Sequence, residues 1–346
     1  MGKILYKYLG LDGRNPRTTF LNDGLFRITQ PRFLNDKHSE SRLKPYFNEF
    51  SPADLDWARR QHAKFQVLAG YVPSDEDLIR FHLEPMSKRY IDAFPHMLSM
   101  LDEQVNFDSV DDYDYHEHEK LVEKVNDLLV NTLSCFIGVL SLTAEDSNRE
   151  MWGRYGAEGR GIVVGFDRDS DFFKQYPAKP VSYDPTERGS ITYYKGTIRV
   201  LGYPAKDFSS LFGGPTGSFF KDYRPFETLF KGLFLAKEEY WSYEEETRLV
   251  IPLFESDVQS GDDIDFEIPK EILEQAGAGL AQHHKEVCLK KIPFETIQSL
   301  TLGYEMTQAE KQAVKDKVES TVALRHIELF ETKVDIYGQI KKSPVN

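Results

Sequence analysis

The hydrophobic and polar positions of this chain follow two periods, and each period predicts a kind of element. Short apolar runs predict buried strands, whereas apolar residues spaced three and four apart predict amphipathic helices. Strands are predicted at residues 4–8, 24–29, 136–142, 162–166, 246–253, 296–302 and 322–329. Helices are predicted at residues 78–101, 118–133, 216–237 and 307–319, and a further helix opens at Ser51 and Pro52. Residues 177–216 show no clear period, and the acidic stretch 255–265 is predicted to be a loop.

The order of these elements predicts the class of fold. The predicted strands fall within residues 1–50 and 134–346, while residues 51–133 are mainly helical. Runs of helix interleaved with mixed strands favour an α+β protein over a doubly wound sheet. We therefore predict a single domain over residues 1–346, with a mixed, split β-sheet core and a helical insertion at 51–133.

Composition and charge narrow the possible classes of protein. The 346 residues are 40% hydrophobic, which is enough for a sizeable core, and no stretch approaches the roughly 18 unbroken apolar residues of a membrane span. The first residues are not expected to form a signal peptide, and Cys135 and Cys288 are too few for a disulfide framework. We therefore expect a cytoplasmic protein with no membrane partner. The net charge of −13 argues against a broad nucleic-acid-binding surface but leaves room for a local basic cleft.

Residues 141–167 hold the densest group of candidate functional residues. One helical turn between two apolar strands places Trp152 and Tyr155 on the same face, three positions apart. The glycines that follow this turn allow the backbone to approach a ligand closely. This pattern is typical of a binding site, although a connection whose Trp and Tyr cap the core explains it equally well.

A second candidate lies at the polar start of the strand predicted at 246–253. Because side chains alternate along a strand, Glu244, Glu246 and Arg248 would share one face. Buried charges are costly unless they are paired, so these side chains are predicted to be paired or to face a cleft. The alternative is a solvated edge with an exposed ion pair of little energetic value.

Two more polar clusters lie near the N-terminus. Thr29 ends the second predicted strand, and Asn35 and Asp36 follow it, where they would either cap a helix or line a cleft. Lys7 alternates with aromatic neighbours, including Tyr8, which is a weak signal for binding an anion or a nucleotide. A surface strand explains that alternation equally well. The sequence contains no metal-binding spacing, phosphate-binding P-loop or nucleophile elbow, so no metal site is predicted.

Taken in order, these clusters resemble the bacterial family called domain of unknown function 2971. The resemblance covers most of the chain outside residues 51–130 and 177–215, and residues 141–167 are its most specific part. It departs after Asn35 and Asp36, where the family has Pro and an aromatic residue but this chain has Lys37 and His38.

The layout is also similar to that of ADP-ribosyltransferases, which have a polar first strand, a second strand ending in a hydroxyl residue, and a late strand with Glu-x-Glu. This resemblance implies that NAD is the substrate, that Glu246 is the catalytic carboxylate and that Glu244 is its partner toward the acceptor. It implies that Trp152 or Tyr155 stacks on a ring of NAD and that Arg248 holds a carboxylate or the pyrophosphate. The residues implied to bind NAD are Lys7, Tyr8, Thr29, Asn35, Asp36, Trp152, Tyr155 and Arg248.

The sequence leaves three functions open. The first is NAD-dependent transfer of ADP-ribose to a protein or nucleic acid by a toxin or phage-defence effector, with an antitoxin or another protein as partner. The second is a non-enzymatic sensor of a nucleotide-like ligand, in which residues 51–133 contact a partner. The third is a metal-dependent nuclease using Asp36, Glu244 and Glu246, which the scarcity of basic residues nearby disfavours.

Overall fold

The computed structural model describes residues 4–35, 40–64, 71–100, 105–205, 223–264 and 285–345. The strands in these ranges are β1 (Ile4–Leu9), β2 (Leu11–Asp12), β3 (Asn15–Pro16), β4 (Leu25–Ile28), β5 (Lys44–Phe47), β6 (Ile137–Thr143), β7 (Ile162–Asp167), β8 (Lys179–Pro180), β9 (Ser190–Tyr194), β10 (Thr197–Val200), β11 (Tyr203–Ala205), β12 (Glu246–Pro252), β13 (Val258–Asp263), β14 (Lys285–Lys291), β15 (Ile297–Leu302), β16 (Glu328–Val334) and β17 (Ile340–Pro344).

The α-helices in the same ranges are α1 (Phe20–Asp23), α2 (Pro52–Lys64), α3 (Asp75–Leu78), α4 (Tyr90–Ala93), α5 (Val110–Ser134), α6 (Arg149–Arg154), α7 (Asp171–Gln175), α8 (Tyr223–Phe234) and α9 (Gln308–Ser320). Short 3-10 helices lie at Pro31–Phe33, Pro95–Met100, Ala157–Gly159, Glu239–Glu244, Leu253–Glu255, Phe294–Thr296 and Val322–Leu324, and a π-helix lies at Ile79–Leu83. None of the helices in the described ranges has the length and apolar character that a bilayer crossing requires.

The largest sheet has eight strands in the order β17-β16-β15-β7-β1-β6-β12-β8. Its neighbouring strands are antiparallel, except that β15 and β16 are parallel. Smaller sheets contain β11-β10-β9-β5, β13-β14-β4 and β2-β3. Mixed sheets combined with helices confirm the prediction of an α+β fold.

The ladder between β1 and β6 is nearly absent, and this gap positions the site described below. The two strands share one residue pair, Tyr6 with Thr143. Further along β6, the backbone of Val139 pairs with Thr29, just beyond the end of β4. The N–H groups of Thr29 and Val139 donate to each other's carbonyl oxygens at 2.8 and 2.7 Å. Between these two contacts the edge of β6 faces a gap.

Two large clusters of buried hydrophobic residues stabilise these elements. The first covers one face of the large sheet and includes Ile162 and Leu249, which are completely buried. The second lies among α5, α8 and the four-stranded sheet and includes Val125, Ile191 and Leu233. Burial of this apolar surface is the main favourable contribution to folding, and it holds the charged side chains of the gap on rigid elements.

The helical part of the chain is more broken than its periodicity predicts. The single helix predicted at 78–101 is wrong, because α3, the π-helix, α4 and a 3-10 helix occupy this stretch. Pro85 and Pro95 explain the breaks, since proline cannot donate an N–H inside a helix and clashes with the preceding turn. The helix predicted at 118–133 is longer than expected: it begins at Val110 after the N-cap Ser109.

Some strand predictions also needed correction. The loop predicted at 255–265 is wrong, because β13 pairs there with β14. Residues 177–216, which show no period, contain β8 to β11 within their described part. The strand predicted at 322–329 begins instead with a 3-10 helix, and β16 starts at Glu328. Strand propensity depends on the neighbouring strands, which local periodicity does not reveal.

Candidate functional site

A cavity of about 220 Å³ lies at the gap between β1 and β6. Its walls come from β1, the end of β4, β6, the turn after α6, and the residues that lead into β12. The predicted site residues that line it are Lys7, Tyr8, Thr29, Asn35, Tyr155, Glu244, Glu246 and Arg248. Asp36 lies outside the described residues, and Trp152 is not part of the lining.

Glu246 and Arg248 form a buried bidentate pair on one face of β12. The Nε atom of Arg248 donates to Oε1 of Glu246 at 2.7 Å, and its Nη2 atom donates to Oε2 at 2.9 Å. Arg248 also donates to Glu40 and to the carbonyl oxygen of Phe234. The exposed fractions of Glu246 and Arg248 are only 6% and 1%. Such a pair fixes the orientation of the carboxylate, because both partners have planar, matching geometry.

Lys237 is the cation on which three carboxylates converge. Its Nζ atom lies 2.7 Å from Oε2 of Glu244, 3.2 Å from Oε2 of Glu246 and 3.2 Å from Oε1 of Glu40. The same ammonium lies 4.5 Å from the ring centroid of Trp241. Because all these side chains are buried, the ammonium offsets repulsion that water would screen at the surface.

Glu244 reaches this cluster from a different element than expected. The prediction that Glu244 and Glu246 share one face of a strand is wrong. Glu244 ends the 3-10 helix Glu239–Glu244, and β12 begins only at Glu246. Between them Glu245 has a φ of 43°, in the left-handed region. This corner turns both carboxylates toward the same ammonium. Tyr155 then donates its hydroxyl proton to Oε1 of Glu244 at 2.6 Å.

The charges around Glu246 decide its ionisation. Burial by itself raises the pKa of Glu246, but Arg248 and Lys237 outweigh it and lower the pKa from 4.5 to about 2. Burial opposes the charge of Arg248 as well, yet Glu246 and Glu40 raise its pKa. Because the folded pKa of Glu246 is depressed, its contribution to stability is complete above pH 4.5. That contribution is lost as the pH falls from there toward about 2.

Lys7 spans the gap with its side chain. Its Nζ atom donates to the carbonyl oxygen of Ser141 at 3.1 Å, at the edge of β6 that faces the gap. Burial lowers the pKa of Lys7 from 10.5 to about 8, although Glu246 acts in the opposite direction. Lys7 is therefore a cation near neutral pH that can give up its proton in mildly alkaline solution.

Trp152 and Tyr8 pack against each other at the side of the cavity, and of the two only Tyr8 is part of its lining. Trp152 is completely buried, and its Nε1 donates to the carbonyl oxygen of Asp146 at 2.9 Å. Stacking of Trp152 on a ligand is therefore ruled out by its position in this structure. Tyr8 packs edge-on against Trp152, with ring centroids 5.4 Å apart, and donates its hydroxyl proton to the carbonyl oxygen of Glu145.

Lys237 and Glu40 are central to the site but were not among the predicted site residues. Lys237 comes directly after the apolar residues 234–236, at the end of α8 and just beyond it. A lysine that continues such an apolar run is the sequence signal that could have pointed to it. Nothing in the spacing of residues near Glu40 marks its role. Among the described residues, no His, Cys, Asp and Glu side chains form a group of three or more that could hold a metal ion.

Comparison with protein-family models, curated proteins and solved structures found no match to this chain.

Proposed function

We propose that the protein is an NAD-dependent ADP-ribosyltransferase that acts on a macromolecule. The observation that carries the proposal is the convergence of Glu244, Glu246 and Lys7 on one cavity. The resemblance to ADP-ribosyltransferases gives Glu246 the catalytic role and Glu244 the role toward the acceptor. A role as toxin or phage-defence effector, with an antitoxin as partner, belongs to the same proposal.

The chemistry of the cluster suits this reaction. When the bond between nicotinamide and ribose breaks, its electron pair leaves with nicotinamide and positive charge develops at the ribose C1. An ionised carboxylate held rigidly by Arg248 stabilises that charge without having to reorganise. The acceptor atom then bonds to C1, and Glu244 takes the proton that the acceptor loses.

The size of the cavity indicates which part of NAD it would hold. Pockets for drug-sized ligands typically measure about 300–1,000 Å³, and this one measures about 220 Å³. It therefore suits the nicotinamide riboside half of NAD. The other half would lie at the mouth, where the acceptor also has to approach.

The proposal is tested by incubating the protein with NAD labelled in nicotinamide and measuring nicotinamide release. The wild type is expected to release it, and Glu246→Gln to lower the rate by about 100-fold or more, because Gln cannot supply the negative charge. The matched control is Glu245→Gln, which changes an exposed neighbour and should leave the rate unchanged. Equal rates for Glu246→Gln and the wild type, or no release by either, would contradict the proposal.

A ligand sensor without catalysis is the second candidate, and one observation favours it. Lys237 and Arg248 already neutralise much of the charge of Glu246, which suits tight binding better than stabilisation of a cation. Its expected signature is a melting temperature that rises with NAD while no nicotinamide is released. A metal-dependent nuclease is less favoured, because Lys237 lies among the carboxylates where a metal ion would sit.

A further inference from the structure

We propose that Arg27 and Lys7 form a subsite that recognises phosphate, so that the cavity selects phosphorylated nucleotides over nucleosides. This inference rests on the proposed function in one respect, namely that the phosphate in question belongs to NAD. Neither residue needs to take part in bond breaking for the inference to hold.

Arg27 has donor capacity that the protein does not use. It lies on β4, lines the cavity, and donates from Nη2 to the carbonyl oxygen of Glu286 at 3.3 Å. Its Nε atom is buried and has no hydrogen-bond partner among the residues that the structure describes. A buried donor without a partner costs free energy, which an anion placed beside it would recover. The guanidinium carbon lies 5.8 Å from the centroid of Phe33, which places an aromatic ring next to this donor.

The charges that line the cavity leave a positive excess. The lining contains four cations and three carboxylates, namely Lys7, Arg27, Lys237, Arg248, Glu40, Glu244 and Glu246. Lys237 and Arg248 are engaged by the carboxylates. Within the described residues, no ion pair involves Lys7 or Arg27. In a chain with a net charge of −13, one surplus positive charge and two unpaired cations in a cavity favour an anionic ligand.

The contacts of buried Arg248 explain why we assign phosphate binding to Arg27 instead. The resemblance implied that Arg248 holds a carboxylate or the pyrophosphate, but its Nε and both terminal nitrogens already donate to Glu246, Glu40 and Phe234. Within the described residues Arg27 donates one side-chain hydrogen bond, through Nη2, and the fork of donors on a guanidinium matches two phosphate oxygens. Lys7 lines the same cavity from β1 and adds a point charge.

The test compares nicotinamide riboside with nicotinamide mononucleotide, which differ by one phosphate, by isothermal titration calorimetry. The wild type is expected to bind the mononucleotide more tightly. Arg27→Gln is expected to weaken mononucleotide binding by about 10- to 100-fold and to leave riboside binding unchanged. Arg27→Lys keeps the charge but loses the fork, so an intermediate loss is expected. Arg32→Gln changes an exposed arginine outside the lining and serves as the matched control.

Several outcomes would overturn the subsite. They are an equal loss for both ligands in Arg27→Gln, no loss for either, or a wild type that binds no phosphate-bearing probe. Inorganic pyrophosphate separates this inference from the proposed function. If it binds in an Arg27-dependent way while NAD is not turned over, the subsite stands and the transferase proposal fails.

Discussion

Two clusters of buried charge within the described residues differ in a way that shows what marks a site. One is the cavity cluster, defined as Glu40, Glu244, Glu246, Lys237 and Arg248. The other joins α2 to the four-stranded sheet through Asp54 and Arg199. Both remove ionised groups from water, so burial of charge alone does not distinguish them.

The cluster around Asp54 is closed and balanced. Asp54 has no exposed surface, and its carboxylate accepts from Arg199 at 3.0 Å, Thr192 at 2.6 Å and Ser51 at 2.8 Å. The Arg199 guanidinium also lies 4.3 Å from the ring centroid of Trp57. These contacts attach α2 to the four-stranded sheet.

The cavity cluster is open and holds unequal numbers of opposite charges. Three carboxylates share two cations at the border of a cavity. The arginine pKa values reflect this difference. Burial lowers the pKa of Arg199, which Asp54 only partly offsets, whereas the pKa of Arg248 is raised because Glu246 and Glu40 outweigh burial. Buried charge alone therefore does not identify a candidate site. Unequal numbers of buried carboxylates and cations beside a cavity identify it better.

The largest effect is expected from Asp54→Ala, which tests the closed cluster. It leaves Arg199 buried without its carboxylate, so the free energy of unfolding should fall by about 3–5 kcal/mol. Urea denaturation measures this loss. Below the melting temperature of the variant, the affinity for nicotinamide mononucleotide should equal that of the wild type.

Asp56→Ala is the matched control, because Asp56 lies on the same helix with an exposed side chain. Its exposed pair with Arg59 should be worth about 1 kcal/mol or less. A similar loss in both variants would show that the Asp54 cluster does not stabilise the attachment of α2.

A smaller effect is expected from Lys237→Met in the cavity cluster. Water in the cavity can solvate the released carboxylates, so the free energy of unfolding should fall by about 1–3 kcal/mol at pH 7. The pKa of Glu246 should rise in this variant, since one of its two cations is gone. The wild type loses its own contribution from Glu246 as the pH falls from 4.5 toward about 2, so the difference in stability between the variant and the wild type should narrow from pH 7 to about pH 3, as judged by urea denaturation.

The control for this experiment is Lys231→Met, which removes an exposed lysine paired with Glu187 at 3.2 Å. Its stability should change little at either pH. A loss in Lys237→Met that exceeds that of Asp54→Ala would reverse the proposed difference between the open and closed clusters.

The smallest effect concerns the pH dependence of binding through Lys7. Its pKa of about 8 reflects burial first, with Glu246 raising it and Arg17 lowering it. The affinity for nicotinamide mononucleotide should therefore fall by up to about tenfold between pH 7 and 9, as the ammonium loses its proton. In Lys7→Arg the charge persists, so calorimetry should show a flatter profile. The same slope in both proteins would remove Lys7 from the phosphate subsite.

Much of the large sheet could be predicted from the sequence, because its strands carry strong apolar runs. Residues 162–166 and 296–302, for example, are almost entirely buried as strands. The strands β9, β10 and β13 could not be predicted in this way. The strands β9 and β10 pair with each other as a hairpin in a stretch without a clear period. β13 pairs with β14 and exposes most of its side chains, so no apolar period marks it.

The candidate site was predictable where it depended on local chemistry. Glu246 and Arg248 were expected to be paired or to face a cleft, and they lie paired on β12 beside the cavity. The contribution of Lys237 depends on a corner at Glu245 and on a loop carrying Glu40. The contact with Glu40 joins residues far apart in the chain, and the left-handed corner at Glu245 leaves no mark in the local spacing of polar and apolar residues.

The single pair between Tyr6 and Thr143 means that five strands of the large sheet meet the other three along a seam with very little main-chain bonding. Across this seam one lysine side chain does what amide groups do elsewhere in the sheet. A molecule seated there would touch both halves and act as a brace. Binding at the seam would then reduce the motion of the whole sheet, including strands that never contact the bound molecule.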